Sequence, residues 1–395
     1  MDWTAGTIRM IALSIALAFA TACTTSQGAR PDADSAASTL KEMQKVADWQ
    51  LAHPPKPASV TAPSNVQPPP LGWIWAAFYT GLTSLAERSD DPKYGEAIFA
   101  FGERENWGLE RRPFHADDYA VGQSWIWAYR RKHDPRMIAA LEARFDAIIA
   151  AAPTVSLEMG SGPPPDGEHD CHLRWCWSDA LFMAPPVWVG LWQATGDPKY
   201  LAYADKEYWA TTDKLFDPKE VLFYRDSRFL DRRGPHGEKI FWSRGNGWVY
   251  AGLARLLELL PPDSPRRARY EDLFRRMSAR LITLQKPDGN WPASLLAPAE
   301  GTPPETSGTG FFTYGLGYGV KTGLLKEPQY LHAAERGWAA LKMAVQPDGK
   351  LGWVQSVSDR PDAVSAEDTQ PYGVGAFLLA GSVLYDLHAP AAGRH

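Results

Sequence analysis

The chain has 395 residues, a formal net charge of −5 and 45% hydrophobic residues, enough for a large buried core. The slight negative balance argues against nucleic acid or an anionic membrane surface as its main partner. Its 17 tryptophans, with 15 tyrosines and 15 phenylalanines, indicate either thick packing between helices or flat platforms for sugar rings, and composition does not separate the two.

The first 22 residues are predicted to form a lipoprotein-type signal peptide. Arg9 precedes an apolar run over residues 10–20, which is too short to span a membrane and leads through small residues to Cys23. We expect cleavage before Cys23 and lipidation of that residue, with plain cleavage as the alternative, because Ala20 stands where such signals usually carry leucine. The mature protein is then exported, either periplasmic or anchored to the outer membrane, and touches a membrane only through this lipid.

Residues 23–70 are polar and rich in Ala, Ser and Pro. One short helix is predicted over residues 41–52, and residues 54–70 are typical of a linker or an extended surface segment. The catalytic domain is expected over residues 71–388.

Two cysteines remain after the leader, Cys171 and Cys176. In an oxidising compartment they could pair across a short loop. A zinc site that also uses His169 and His172 is less favoured, because the usual paired ligand spacing is missing.

From residue 71 onward one helix-start signal recurs, a capping residue followed by Pro in the first helical turn. It stands at Asp91-Pro92, Asp134-Pro135, Asp197-Pro198, Glu327-Pro328 and, more loosely, Asp263-Ser264-Pro265. An apolar, aromatic helix is predicted before these signals and a charged, amphipathic helix after them. Regular hairpins of this kind predict an all-α fold, an (α/α)6 barrel with an inner and an outer ring, and the Gly-rich inner helices favour closure over an open solenoid.

Polar clusters precede five of the predicted inner helices, where the connecting loops would gather at one end of the toroid. They occupy residues 115–119, 169–179, 242–248, 305–310 and 367–370. Each cluster alone could be a helix cap. Five of them at equivalent positions around a ring indicate a functional cavity.

Asp179 is the most unusual acidic residue of these clusters. It follows Trp177 and precedes Pro185-Pro186, which are predicted to open a helix. Burial against tryptophan should raise the pKa of its carboxyl group and suit it to general acid catalysis, whereas helix capping is the alternative. Carboxyl groups from different hairpins around an aromatic cavity suggest work on a sugar.

Arg244 is the candidate partner of an anionic group, because its planar guanidinium can hold a carboxylate through two parallel bonds. This favours an acidic sugar over a neutral one. The structural alternative is an ion pair of Arg244 with Asp226 or Asp231.

Four segments together carry a family resemblance. They are His-Ala-Asp-Asp-Tyr-Ala-Val-Gly-Gln at 115–123, Trp-Ser-Asp-Ala-Leu-Phe-Met at 177–183, Phe-Trp-Ser-Arg-Gly-Asn-Gly-Trp at 241–248 and Thr-Gln-Pro-Tyr-Gly-Val-Gly-Ala-Phe at 369–377. From about residue 73 to 387 the chain resembles glycoside hydrolase family 105, the unsaturated rhamnogalacturonyl hydrolases, which are related to the unsaturated glucuronyl hydrolases of family 88. The resemblance implies a six-hairpin barrel and no metal or cofactor.

The resemblance also implies the roles of individual residues. Asp179 would be the general acid/base and Asp117 its partner carboxylate; Asp117 is favoured over Asp118 because it stands five residues before Gly122, as in the family pattern. The substrate-binding residues would be His115, Asp118, Trp177, Trp242, Arg244 and Trp248.

The implied reaction removes a 4,5-unsaturated uronyl residue from the non-reducing end of a lyase-generated, acidic oligosaccharide by hydration of the C4–C5 double bond. One alternative is an inverting glycosidase acting on a saturated acidic oligosaccharide, with Asp179 as acid and Asp117 or Asp118 as base. Another is a non-catalytic lipoprotein that binds oligosaccharides through its tryptophans. The parent polysaccharide (rhamnogalacturonan, ulvan, another pectic fragment or a glycosaminoglycan), the linked sugar and the oligomeric state are left open.

Overall fold

The computed structural model describes residues 1–2, 33–53, 69–160, 169–298 and 303–389. The predicted signal peptide, Cys23 and most of the predicted linker lie outside these ranges. The described residues from 33 onward form one compact unit. Among the described helices none is both long and apolar enough to cross a membrane.

Six helices form an inner ring. In chain order they are α2 (Trp73–Ala86), α4 (Gly122–Lys132), α7 (Pro185–Thr195), α9 (Ser243–Leu259), α11 (Thr306–Lys321) and α13 (Pro371–His388). Each packs against the next, and α13 packs back against α2. The ring is therefore closed, which confirms the (α/α)6 barrel and excludes the open solenoid.

The seam of the ring is a close crossing of two glycines. A Cβ atom on Gly81 of α2 would come within 2.5 Å of the main-chain oxygen of Gly375 in α13, and one on Gly375 within 2.2 Å of the main-chain oxygen of Ala77. Only a residue without a side chain permits this backbone approach. The Gly content of the inner helices thus has the role that the sequence suggested.

Six outer helices cover the inner ring. They are α1 (Ala33–Ala52), α3 (Lys93–Arg104), α5 (Arg136–Ala151), α8 (Pro198–Leu215), α10 (Arg267–Ile282) and α12 (Pro328–Met343). The caps predicted at three helix starts are confirmed: the side chains of Asp91, Asp134 and Asp197 each accept a hydrogen bond from the main-chain N–H two residues later. Helix α12 begins at Pro328 as predicted, but Glu327 does not cap it, and α10 begins at Arg267 without a side-chain cap. A one-turn helix, α6 (Ala180–Met183), precedes α7, which begins at Pro185 as predicted.

The sixth outer helix comes from the N-terminal segment rather than from the repeat. The predicted helix over residues 41–52 is confirmed and begins earlier, at Ala33. It packs against α13, with Met43 and Val46 fully buried and Met43 lying against Gly381. The barrel therefore includes α1, whereas the sequence-based boundary started the catalytic domain at residue 71.

A small antiparallel hairpin follows α8, formed by β1 (Phe216–Asp217) and β2 (Leu222–Phe223). It leads the chain into the loop over residues 224–242, in which Asp226 forms an isolated bridge with Trp177 before α6 and which ends where α9 begins.

Candidate active site

The eight predicted site residues all lie at the N-terminal ends of inner helices or in the loops that enter them. They are His115, Asp117 and Asp118 before α4, Trp177 and Asp179 before α6, and Trp242, Arg244 and Trp248 at the start of α9. Ring contacts join the groups: the His115 ring lies 4.7 Å from that of Trp177, and the Trp248 ring 4.8 Å from that of Phe182. The barrel thus gathers these loops at one end.

Asp179 is buried, and its side chain does not cap α6 although it holds the N-cap position. One carboxylate oxygen accepts a hydrogen bond from Ser178 Oγ at 3.1 Å and lies 3.7 Å from Arg225 Nε. Burial raises the pKa of Asp179, while the positive charges of Arg225 and Arg244 and the Ser178 hydrogen bond limit the rise. The capping alternative therefore does not describe this side chain.

Asp117 lies in a short 3-10 turn over Ala116–Asp118 and is partly exposed. Its carboxylate is 3.7 Å from His115 Nδ1. Burial raises its pKa to about 7; Arg112 opposes the shift, and the charge of Asp179 adds to it. Asp117 and Asp179 are thus two electrostatically coupled carboxyl groups that both hold protons more tightly than a solvated aspartate.

The raised pKa of Asp117 makes stability depend on pH. A group whose folded pKa lies above its unfolded value of 3.8 stabilises the fold fully below about pH 4, and that contribution is lost as the pH rises toward about 7. At pH 8 we expect the free energy of unfolding of Asp117→Asn to exceed that of wild type by up to about 4 kcal/mol, and its melting temperature to be higher accordingly. Near pH 4 the two proteins should be equally stable. Thermal melts at the two pH values measure this; an equal difference at both would contradict it.

Asp118 is buried and hydrogen-bonded to Arg112. Its Oδ1 accepts hydrogen bonds from Arg112 Nε at 3.0 Å and Nη2 at 2.5 Å, and its Oδ2 accepts one from the Arg112 main-chain N–H at 2.7 Å. With both oxygens engaged, Asp118 positions the loop before α4. This geometry favours Asp117 as the partner of Asp179, and a substrate contact of Asp118 stays a prediction.

Aromatic rings wall the site on two sides. On one side Trp177 packs against His115 and against His172, whose ring lies 5.1 Å away. Burial lowers the pKa of His115 well below its usual value, and the nearby Arg112 adds to the shift, so this imidazole is neutral at physiological pH. On the other side Trp73 stacks on Tyr372 at 5.0 Å and meets Trp248 edge-on at 6.1 Å.

Arg244 is fully buried between two rings, with its guanidinium 4.4 Å from the Trp242 ring centroid and 4.7 Å from that of Tyr372. Nη1 donates to the main-chain oxygen of Gln355 at 2.6 Å, and Nη2 to that of Ser356 at 2.8 Å. Arg244 thus has structural contacts, but not the predicted ion pair with Asp226 or Asp231. Asp226 pairs with Arg225 and Arg228 instead.

These contacts predict a mixed effect for Arg244→Ala. The change removes two charge-assisted hydrogen bonds and empties a stacked position, so we expect a loss of at least about 2–4 kcal/mol in the free energy of unfolding together with lower activity. Urea unfolding and steady-state kinetics measure the two effects. If Arg244→Ala left the free energy of unfolding unchanged and raised only KM, Arg244 would have a role in substrate binding and none in stability.

Two of the predicted polar clusters have structural roles. Glu305 is fully buried and caps α11, accepting hydrogen bonds from the N–H groups of Ser307 at 3.1 Å and Gly308 at 2.7 Å. Asp368 accepts hydrogen bonds from Ser365 N–H and Oγ, and Glu367 pairs with Lys350 at the surface. Neither cluster supplies a carboxylate to the pair at Asp117 and Asp179.

Cys171 and Cys176 form a disulfide that links the loop before Trp177 to itself. In the described part of the chain, one group of three potential metal ligands (Cys171, His172 and Cys176) has its ligand atoms within 4.8 Å of one another. Both sulfur atoms are used in the disulfide, so this group does not offer the thiolates that zinc binds.

Arg112 lines two cavities. One, of about 520 Å³, is lined by Trp73, Glu110, Arg111 and Arg112; the other, of about 300 Å³, is lined by His115, His169 and His172 among others. Both cavities therefore adjoin the loop before α4 that carries His115, Asp117 and Asp118.

Arg225 is the site residue that the sequence patterns missed. It lies directly after β2 and Tyr224, outside all five polar clusters, and places a guanidinium beside Asp179. The alternation of charge in Arg225-Asp226-Ser227-Arg228 after an apolar strand marks a polar cluster in the sequence, but it does not show that this cluster pairs with Asp179.

The family model described as Glycosyl Hydrolase Family 88 matches residues 41–387. A protein of Alteromonas sp. (strain LOR) named unsaturated 3S-rhamnoglycuronyl hydrolase is 44% identical over 315 residues, which cover 78% of this chain and 76% of that protein. A protein of the same name from Formosa agariphila is 36% identical over 352 residues, covering 88% and 90% of the two chains.

Among solved structures, one described as a polysaccharide lyase superposes with a TM-score of 0.76 and 30% identity, covering 89% of this chain and 98% of that chain. The family model and the 44% identical relative confirm the resemblance drawn from the four sequence segments. The chain is a glycoside hydrolase and belongs to glycosyl hydrolase family 88.

Proposed function

We propose that the protein removes a 4,5-unsaturated uronyl residue from the non-reducing end of an oligosaccharide by adding water across the C4–C5 double bond. The observation that carries this proposal is the pair Asp117 and Asp179, two coupled carboxyl groups with raised pKa values at the aromatic end of the barrel. The names of the two relatives support the same reaction class.

The proposed reaction begins with a proton transfer. The C4–C5 double bond of the unsaturated ring is a vinyl ether, so C4 accepts a proton from Asp179 and the ring oxygen stabilises the cation at C5. Water then adds to C5 and gives a proton back to Asp179. The resulting hemiketal opens and releases the neighbouring sugar, so that one water is consumed and Asp179 ends as it began.

Asp117 tunes this step in the proposal. Its negative charge, when present, keeps the proton on Asp179, and its position beside the cavity lets it stabilise the cation at C5. His115 is neutral and packs on Trp177, which suits it to shaping the ring subsite rather than to carrying charge.

The inverting glycosidase is less well supported by this geometry. That mechanism needs one carboxyl group ionised to activate water while the other stays protonated. Burial raises the pKa of both groups, that of Asp117 to about 7, so neither is a ready base below neutral pH. Hydration of a vinyl ether requires a protonated carboxyl group first. The same group becomes a base only after it has given its proton to C4.

We take the substrate class from the relatives, an unsaturated rhamnoglycuronyl oligosaccharide carrying the 3S group of their names. A panel of lyase-generated oligosaccharides with different sugars next to the unsaturated uronyl residue tests this choice. The highest kcat/KM is expected for the oligosaccharide in which rhamnose follows the unsaturated uronyl residue. A clear preference for another neighbouring sugar would contradict this substrate assignment.

The ultraviolet absorbance of the unsaturated acid tests the reaction. Loss of absorbance on adding enzyme, together with release of the neighbouring sugar, is the expected result. Release of reducing sugar from a saturated oligosaccharide without this loss would indicate the inverting glycosidase. A rise in absorbance with intact polysaccharide would indicate a lyase, and no change with any substrate would leave only a binding role.

We also propose that the mature protein begins at a lipidated Cys23 and is exported to the periplasm or the outer membrane. The apolar run over residues 10–20 and the small residues before Cys23 support this. Mass spectrometry of the protein from its native host is expected to find a lipid-modified N-terminal cysteine. An intact leader, or an unmodified Cys23, would contradict it.

A further inference from the structure

Arg225 is tied to Asp179 through the main chain as well as through its charge. Its carbonyl oxygen accepts a hydrogen bond from the Ser178 N–H at 2.7 Å, and Asp226 forms an isolated antiparallel bridge with Trp177. The short segment after β2 therefore runs alongside the residues that position the proposed acid. This pairing fixes where the Arg225 side chain starts.

Within the described residues, the hydrogen bonds seen for the Arg225 guanidinium are those of Nη1. Nη1 donates to Asp226 Oδ2 at 2.8 Å and contacts Met159 Sδ at 3.7 Å. Nε is buried, lies 3.7 Å from Asp179 Oδ2 and has no hydrogen-bond partner among the described residues. A buried N–H group without an acceptor is costly, which marks this edge of the guanidinium as a place for a ligand acceptor.

The positive charge of Arg225 also affects the pKa values of several titratable groups of the site. It contributes to the lowered pKa values of His115 and His172 and limits the raised pKa values of Asp117 and Asp179. Arg244 Nε is likewise buried without a hydrogen-bond partner among the described residues, but both terminal nitrogens of Arg244 already donate to main-chain oxygens and its side chain has no exposed surface, so Arg244 has no accessible edge to offer a ligand. The Arg225 side chain keeps 18% of its surface exposed.

We infer that Arg225 binds the carboxylate of the unsaturated uronyl ring through its Nε edge; this assignment rests on the proposed function. A guanidinium edge offers two parallel N–H groups that match a carboxylate. In the unsaturated ring the carboxylate is attached to C5, next to C4. Because Arg225 Nε lies beside Asp179, a carboxylate held there brings the C4–C5 double bond to the proposed acid.

A cation at this position also reduces the repulsion between the substrate carboxylate and the carboxyl groups of the site. The substrate brings a negative charge toward Asp117 and Asp179, which already resist ionisation. A partly buried cation with an open edge offsets that repulsion. Arg228 shares Asp226 and pairs with Asp359, so Asp226 does not neutralise Arg225 alone.

A pair of substrates tests this assignment: the unsaturated oligosaccharide and its methyl ester, which lacks the uronyl charge. For the acid we expect Arg225→Gln to lower kcat/KM by about 10–100-fold, mainly through KM, and Arg225→Lys by less, because lysine keeps the charge but not the fork. For the ester, wild type and Arg225→Gln should differ by less than about threefold. The ratio of kcat/KM for acid and ester is unaffected by the fraction of enzyme that is folded.

The matched control is Arg228→Gln, which loses a cation bound to the same Asp226 but lies away from Asp179 in the ion-pair network. It should keep the wild-type ratio of acid to ester. An equal fall of acid and ester in Arg225→Gln, or no fall in either, would overturn the assignment. Wild-type enzyme that consumes neither substrate's double bond would instead reject the proposed function, so the two failures are distinguishable.

Should the ester turn over too slowly for kinetics, calorimetric binding of acid and ester to wild type and Arg225→Gln gives the same comparison. The expected result is a loss of acid affinity with ester affinity unchanged. Equal losses of affinity for both, or none, would overturn the assignment.

Discussion

An Asp179→Asn variant is expected to fold normally, to bind the unsaturated oligosaccharide and to lose roughly 10²–10⁴-fold in kcat. Asparagine has nearly the same shape and keeps the contact with Ser178 Oγ. It can neither protonate C4 nor take a proton from water at C5. Single-turnover kinetics, calorimetric binding and a thermal melt separate the chemical step from binding and folding.

Asp272→Asn is a suitable control for Asp179→Asn. Asp272 is an exposed aspartate on the outer helix α10, where it pairs with Arg276. Its replacement should leave kcat within about threefold of wild type, as for most surface changes. Near-normal turnover by Asp179→Asn would remove Asp179 from the mechanism.

An Asp117→Asn variant is expected to lose at least about 10²-fold in kcat and to change its dependence on pH. The charges of Asp117 and Asp179 disfavour each other, so removing one lowers the pKa of the carboxyl group that remains. Asp179 then loses its proton at a lower pH, and the alkaline limb of the kcat profile should shift to lower pH.

A profile with an unmoved alkaline limb would mean that Asp117 does not tune Asp179. Asp118→Asn serves for comparison, because Asp118 is bonded to Arg112 and should act through stability instead. We expect Asp118→Asn to lower the melting temperature. If it shifted the alkaline limb and Asp117→Asn did not, the roles of the two adjacent aspartates would be exchanged.

The ring of helices was predictable because its signals are local. A capping residue and a proline in the first turn fix where an outer helix starts, whatever lies around it. The contribution of α1 to the barrel was not predictable in the same way. Its partner α13 lies at the other end of the chain, and the Met43–Gly381 contact that joins them is non-local.

The site was predictable in place but not in detail. The clusters before the inner helices lie at one end of the barrel, as predicted, yet Glu305 is a helix cap and Asp117 and Asp118 have different surroundings. Arg112, six residues before Asp118, decides between the two aspartates through a turn that periodicity does not describe. Arg225 reaches Asp179 by tertiary pairing of two loops, which no spacing along the chain indicates.

The most direct test of the proposed hydration is the reaction carried out in heavy water. The proton that reaches C4 comes from solvent through Asp179, so the product should carry one deuterium on a single face of C4 at early times. Product incubated alone in heavy water corrects for exchange next to the new C5 ketone. Enzymatic product that gains no deuterium at C4 beyond this control, while the neighbouring sugar is released, would contradict hydration of the double bond.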